Sequence, residues 1–144
     1  GNRSILYDPR DPDGKEKINK LKGREDYRPL AGTVLQEQAH KWFDMSFVNE
    51  SPYMLYNLEV LSKDIPAICH IDNTCRVQTL KKSFNPHFYN LIKEFNNITG
   101  IPILLNTSFN LAGDTIVETV DDAINTLNNS DIDYVYFPEK GLIL

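Results

Sequence analysis

Three sets of residues in this chain have the types and spacing to do chemistry. The first is the run Lys15, Lys17, Lys20, Lys22, Arg24 and Arg28, the densest positive stretch in a chain of formal net charge −5. Lys15, Lys17 and Lys20 read as the solvated side of a short helix, softened by Glu16. Lys22, Arg24 and Arg28 lie past that helix, beside Gly23 and Pro29, where loop cations can turn onto a single anion. Arginine offers a planar fork that matches phosphate oxygens, and lysine adds a point charge. A small polyanion such as a nucleoside triphosphate suits this cluster better than nucleic acid, because an acidic domain repels a long phosphate backbone.

The second set is Asn106-Thr107-Ser108-Phe109-Asn110, directly after the apolar run 101–105 (IPILL). In open α/β sheets, ligand sites gather at the carboxyl ends of strands. Amides and hydroxyls there can hold phosphate, ribose or carbonyl oxygens, and Gly113 would let backbone approach closely. The competing reading is an Asx or ST turn whose side chains satisfy their own backbone. The third set is His70, Asp72, Thr74, Arg76 and Gln78. On one continuous strand these alternate positions share a face, which is either solvated or lines a polar cleft. A turn at 72–74 would break that register. A lone histidine is more often structural than catalytic, and His70 is held to that expectation.

Other chemistries find little support. No GxGxxG, P-loop, HExxH or GxSxG is present, and Ser108 has no base near it in sequence. His40 is expected on an exposed helix face, and His87 in the first turn of a helix. Cys69 and Cys75 cannot make a disulfide framework, and Cys-His-x-Asp-x-x-Cys matches no common zinc spacing. Two reduced thiols and no metal site are expected.

The elements that must position these groups follow from pattern. Residues 8–14 are a turn cluster, and 15–22 a short helix with Ile18 and Leu21 on one face. Residues 33–43 start as strand and turn helical, with Val34, Leu35, Ala39, Trp42 and Phe43 as a buried stripe. Residues 53–60 read as a strand. Residues 66–71 and 75–80 read as an antiparallel hairpin about Asp72-Asn73. Asn85 is a good N-cap, and Pro86 is preset for the first helical position. Phe88, Leu91, Ile92, Phe95 and Ile98 then share a helical face, and Gly100 is a natural stop. Residues 101–105 suit a central strand buried on both faces, followed by the loop NTSFNLAGD. Thr119 and Asp122 form a capping box that opens a helix through Leu127. Residues 133–137 and 141–144 close the chain as strands. The sum is an α/β (α+β) domain with a mixed sheet.

The 144 residues fit one domain, expected over 1–144. A content of 41% hydrophobic and 24% charged residues excludes a disordered tail, a fibre and a disulfide-knotted miniprotein. No apolar run approaches the ~18–20 residues of a membrane span, and no secretory signal is visible. A cytoplasmic location is expected. Gly1 opens the chain inside a dense polar stretch, which reads as a domain excised from a longer protein.

Taken in order, GNRSILYDPRDP, INKLKGREDYRPLAGTVL, IPAICHIDNTCRVQTL and NPHFYNLIKEFNNITGIPILLNTSFNLAGDTIV resemble the carboxyl-terminal domain of the NodU/CmcH carbamoyltransferases. The likeness runs from end to end. The family's Lys-x-Arg-Glu-x-x-Arg-Pro stands at Lys22 to Pro29. Its His-x-Asp-x-Thr-x-Arg-Val-Gln stands at His70 to Gln78, and its Leu-Asn-Thr-Ser-Phe-Asn at Leu105 to Asn110. The chain departs at Gly32-Thr33, where the family often has Pro-Ser, and at Asn73 and Cys75, where Gly and Ala are common. The polar set is intact.

The resemblance implies a YrdC-like fold that uses ATP and carbamoyl phosphate to make a carbamoyl-adenylate. It implies a partner in the same protein, an amino-terminal actin-like domain that holds an iron-type metal and carries out transfer to an acceptor hydroxyl. On this likeness, Lys22, Arg24 and Arg28 would meet phosphate oxygens. Arg76 would meet carbamoyl phosphate or the α-phosphate, with His70 and Thr74 beside it. Asn106, Ser108 and Asn110 would hold nucleotide or carbamate oxygens. Magnesium would serve as a phosphate counter-ion. The alternatives are a non-catalytic nucleotide-binding or docking domain, and a YrdC-type enzyme that makes threonylcarbamoyl-adenylate for tRNA. Nucleic acid and membrane partners are not expected.

Overall fold

Residues 1–144, all described by the computed structural model, build a five-stranded sheet flanked by helices. The strands are β1 (Ser4–Tyr7), β2 (Ala31–Leu35), β3 (Tyr56–Glu59), β4 (Thr74–Leu80) and β5 (Ile103–Ser108). Their order is β1-β5-β2-β4-β3; β2 and β4 run parallel, and every other pair is antiparallel. This is the expected mixed sheet of an α/β fold. The helices are α1 (Gly14–Leu21), α2 (Pro86–Thr99) and α3 (Val120–Asn128). A small separate hairpin pairs β6 (Tyr136–Phe137) with β7 (Leu142–Ile143).

Local chemistry explains the helix ends. The Asn85 side chain accepts from the Phe88 N–H at 3.0 Å, Pro86 occupies the first turn, and Gly100 closes α2 at φ +78°. Thr119 and Asp122 cap α3 reciprocally, as the sequence predicts. In α2, Phe88 and Ile92 are buried and Phe95 partly so, but Leu91 is exposed and Ile98 is 84% exposed. The apolar stripe is therefore narrower than its spacing implies.

The pairing register divides the side chains between two faces. Ile5, Val34, Leu58, Val77 and Leu105 point one way, into the main core with Ile18 of α1 and Ile68. Gly32 allows that packing, since a Cβ there would lie 2.5 Å from Ile68 Cδ1. The opposite face is split along its length. Leu35, Leu80 and Leu104 are covered by Phe88 and Ile92 of α2. Further along the same strands stand Thr33, Arg76, Gln78, Asn106 and Ser108.

The structure departs from four of the expectations drawn from sequence. Residues 66–71 are not a strand: 66–68 form a single 3-10 turn that opens on Pro66, which has no N–H to give a ladder. The hairpin partner of β4 is β3 instead. The segment after residue 105 does not leave the sheet, because β1 pairs Leu6 with Asn106 and Ser4 with Ser108. The strand of 53–60 shortens to β3, and the closing strands shrink to two residues each.

Candidate functional site

Lys22 caps α1 and is buried, with its ammonium turned onto the end of β5. Its Nζ donates to the Ser108 carbonyl at 2.5 Å and the Asn110 carbonyl at 2.8 Å, and reaches Ser108 Oγ at 3.2 Å and Asn110 Oδ1 at 3.0 Å. The early cationic loop and the amide-rich bend therefore meet in space. Gly23 makes the approach: it sits at φ +59°, and a Cβ there would lie 3.2 Å from the Ala112 Cβ. Asn110 also closes its own bend, donating to the Asp114 carbonyl at 2.9 Å.

Asn19 organises the loop from below. Fully buried, it accepts from Arg24 Nε at 2.7 Å and donates to the carbonyls of Asp26 and Arg28 at 3.1 and 3.0 Å. Lys22, Arg24, Arg28, Ser108, Asn110 and Gly113 then line an open cleft of about 730 Å³. Burial, and after it the charge of Arg24, pushes the Lys22 ammonium down to about 8. Burial, then the charges of Arg28 and Arg76, lowers the Arg24 guanidinium. Arg24 Nη2 is buried and has no hydrogen-bond partner. Arg28 is the exception: its Nε meets Glu25 Oε2 at 2.7 Å, and that hydrogen bond raises it.

The floor beside these cations is a polar network across three adjacent strands. Asn106, 4% exposed, donates from Nδ2 to Thr33 Oγ1 at 2.8 Å and Gln78 Oε1 at 3.2 Å. The Thr33 hydroxyl donates to Gln78 Oε1 at 2.9 Å, and Gln78 Nε2 to the Pro52 carbonyl at 2.9 Å. Arg76 is exposed two positions before Gln78 on the same face.

His70 and Thr74 stand at the edge of this arrangement. His70 Nε2 donates to the Leu30 carbonyl at 3.0 Å, and Nδ1 lies 3.2 Å from Thr74 Oγ1. The Thr74 hydroxyl donates to Asp72 Oδ1 at 2.7 Å. The His70–Thr74 turn, with Asn73 at φ +61°, thus ties the start of β4 to the end of the cationic loop. Because of that turn, His70 and Asp72 do not continue the face of Thr74, Arg76 and Gln78.

Sequence reasoning passed over Asn19 and Thr33. The signal for Asn19 was a neutral amide beside Ile18 in a lysine-rich helix. The signal for Thr33 was a hydroxyl inside the buried strand AGTVL. His40 and His87 are exposed, outside the cleft. Both cysteines are free, and burial pushes the Cys75 thiol up to about 12. No group of three His, Cys, Asp or Glu side chains gathers to hold a metal ion.

Comparison with known proteins identifies this frame. The family described as carbamoyltransferase C-terminus matches residues 1–142. The chain belongs to that family. Nodulation protein NolO of Bradyrhizobium diazoefficiens is 41% identical to this carbamoyltransferase C-terminal chain over 138 residues, 92% of the chain and 25% of NolO. The 3'-hydroxymethylcephem-O-carbamoyltransferase of Amycolatopsis lactamdurans is 37% identical over 124 residues, 85% of the chain and 24% of that enzyme. Nodulation protein U of Bradyrhizobium diazoefficiens is 36% identical over 116 residues, 78% of the chain and 20% of that protein. The carbamoyltransferase C-terminal chain thus spans about a quarter or less of the relatives it matches. No helix in it is long and apolar enough to cross a membrane.

Proposed function

We propose that this carbamoyltransferase C-terminal chain binds ATP and carbamoyl phosphate and forms a carbamoyl-adenylate, which a further part of a longer protein passes to an acceptor hydroxyl. We read the sheet as YrdC-like on the same ground. One observation carries the reading. Arg24 keeps a buried, unpaired guanidinium N–H while the charges of Arg28 and Arg76 act on it. Like charges gathered this way are stabilised by an anion bound among them, and a buried donor without a partner is costly.

Carbamoyl phosphate first gives carbamate and phosphate by taking up water. A carbamate oxygen then attacks the α-phosphorus of ATP. The bond from that phosphorus to the bridging oxygen breaks, and pyrophosphate leaves. Both partners are anions, so the help needed is positioning and charge neutralisation. Arg24, Arg28 and Arg76 supply the charge. Ser108 and Asn110 offer oxygen-binding groups at the cleft, and Asn106 fixes the floor. Lys22 holds the bend through four oxygen contacts and adds positive charge beneath it. Magnesium would arrive with the triphosphate as its counter-ion. His70 and Thr74 support Arg76 from the turn before it.

The test is pyrophosphate release with ATP. The reading expects release that depends on carbamoyl phosphate and needs no threonine. Release that requires threonine and ignores carbamoyl phosphate would overturn it.

A further inference from the structure

Beyond Arg76, the polar half of the sheet continues onto β3 as Asn57 and Glu59, and the segment just before β3 carries exposed apolar side chains. The chain enters β3 through Ser51–Leu55, which is pinned to the sheet at its base. Ser51 is 1% exposed, donates from Oγ to the Val77 carbonyl at 2.7 Å, and accepts Thr79 N–H on its own carbonyl at 2.9 Å. Gln78, part of the Thr33–Asn106 network, holds the Pro52 carbonyl. From this rigid base the loop carries Tyr53 and Leu55 outward, 76% and 73% exposed. Met54 between them sits at φ +56°, a left-handed backbone that a non-glycine residue adopts only when its surroundings impose it. Leu55 precedes the pair Asn57–Arg76 by one alternation, on the Arg76 side of β3.

We propose that Tyr53 and Leu55 form the platform on which the purine base of the nucleotide lies, with its phosphates on Arg24 and Arg76. This inference rests on the nucleotide reading above and adds to it where the base goes. A phosphate cradle alone cannot tell ATP from inorganic triphosphate. A flat aromatic ring with a branched aliphatic neighbour suits the face of a base. The span also fits: β3 lies three strands from β5, roughly 14 Å at the usual strand spacing, which matches an extended nucleoside triphosphate. Both side chains are exposed, so they are not needed to fill the core.

The experiment titrates ATP and inorganic tripolyphosphate into four forms of the chain: wild type, Tyr53→Ala/Leu55→Ala, Tyr53→Phe and Arg76→Ala. The double variant is expected to lose roughly tenfold in ATP affinity, the usual size of a lost base stack, with tripolyphosphate unchanged. Tyr53→Phe should keep ATP affinity within about twofold, because the ring face remains. Arg76→Ala should weaken both ligands. Wild-type ATP affinity in the double variant would overturn the platform and leave the phosphate cradle standing. Equal loss of both ligands in the double variant would also overturn it, since the loop would then act through the sheet floor. Failure of the wild type to bind either ligand would overturn the nucleotide reading and this inference with it.

Discussion

One face of the central sheet ends in two different ways along the same three strands. At one end Leu35, Leu80 and Leu104 are sealed beneath Phe88 and Ile92 of α2. At the other, Thr33, Gln78 and Asn106 bond to one another and lie beside the arginines. The strands, their order and the side-chain alternation are the same in both halves. What differs is residue type, and with it the partner each half requires. Leucines need only apolar contact, which a helix supplies. Buried amides need each other, and the exposed arginines Arg28 and Arg76 are met by water. The fold thus seals one half beneath a helix and leaves the arginine side of the other half open to solvent.

The largest way to break this contrast is Ile92→Ala. Ile92 is wholly buried in the leucine half, and the change should cost about 2–5 kcal/mol in urea unfolding, through lost contacts and the cavity left behind. Ligand affinity of the molecules still folded should not change. A smaller break comes from Thr33→Val in the polar half. It keeps the shape but removes the hydroxyl that bridges Asn106 and Gln78, and should cost about 1–2 kcal/mol in the same measurement. A loss as large as that of Ile92→Ala would mean that the polar half, too, is mainly a stability device.

Lys22 gives the most specific signal. Its ammonium sits at about 8 against an ordinary 10.5. Between those values the unfolded chain binds more protons than the folded one, so stability should rise with pH across that window. Compared with Lys22→Met, the wild type should gain stability between pH 8 and pH 10.5 in urea titrations. A pH-independent difference would mean that the contacts to Ser108 and Asn110 offset the burial.

How far these halves can be read from sequence differs for physical reasons. Asn85-Pro86, Gly100 and the Thr119/Asp122 pair mark α2 and α3 because caps are local hydrogen-bond chemistry. The family motifs mark the cations and amides, and the fold brings Lys22 to Ser108 and Asn110 across the chain. The supposed hairpin of 66–71 with 75–80 fails because pattern cannot say which strand pairs with which. Pro66 and the turn at Asn73 remove the first arm, and β3 takes its place. Asn106–Ser108 look like loop because they are polar, yet β1 supplies a ladder for them. Asn19 and Thr33 gain their roles only from partners far along the chain, which spacing does not record.

The central claim is that the arginines beside the amide floor hold a nucleotide triphosphate. Calorimetric titration of ATP into the wild type, Arg24→Ala and Arg76→Ala tests it most directly. Each variant should bind roughly 10- to 100-fold more weakly, the usual effect of losing a charged hydrogen bond, with the unfolding midpoint of Arg76→Ala unchanged. Wild-type affinity in both variants would contradict the account.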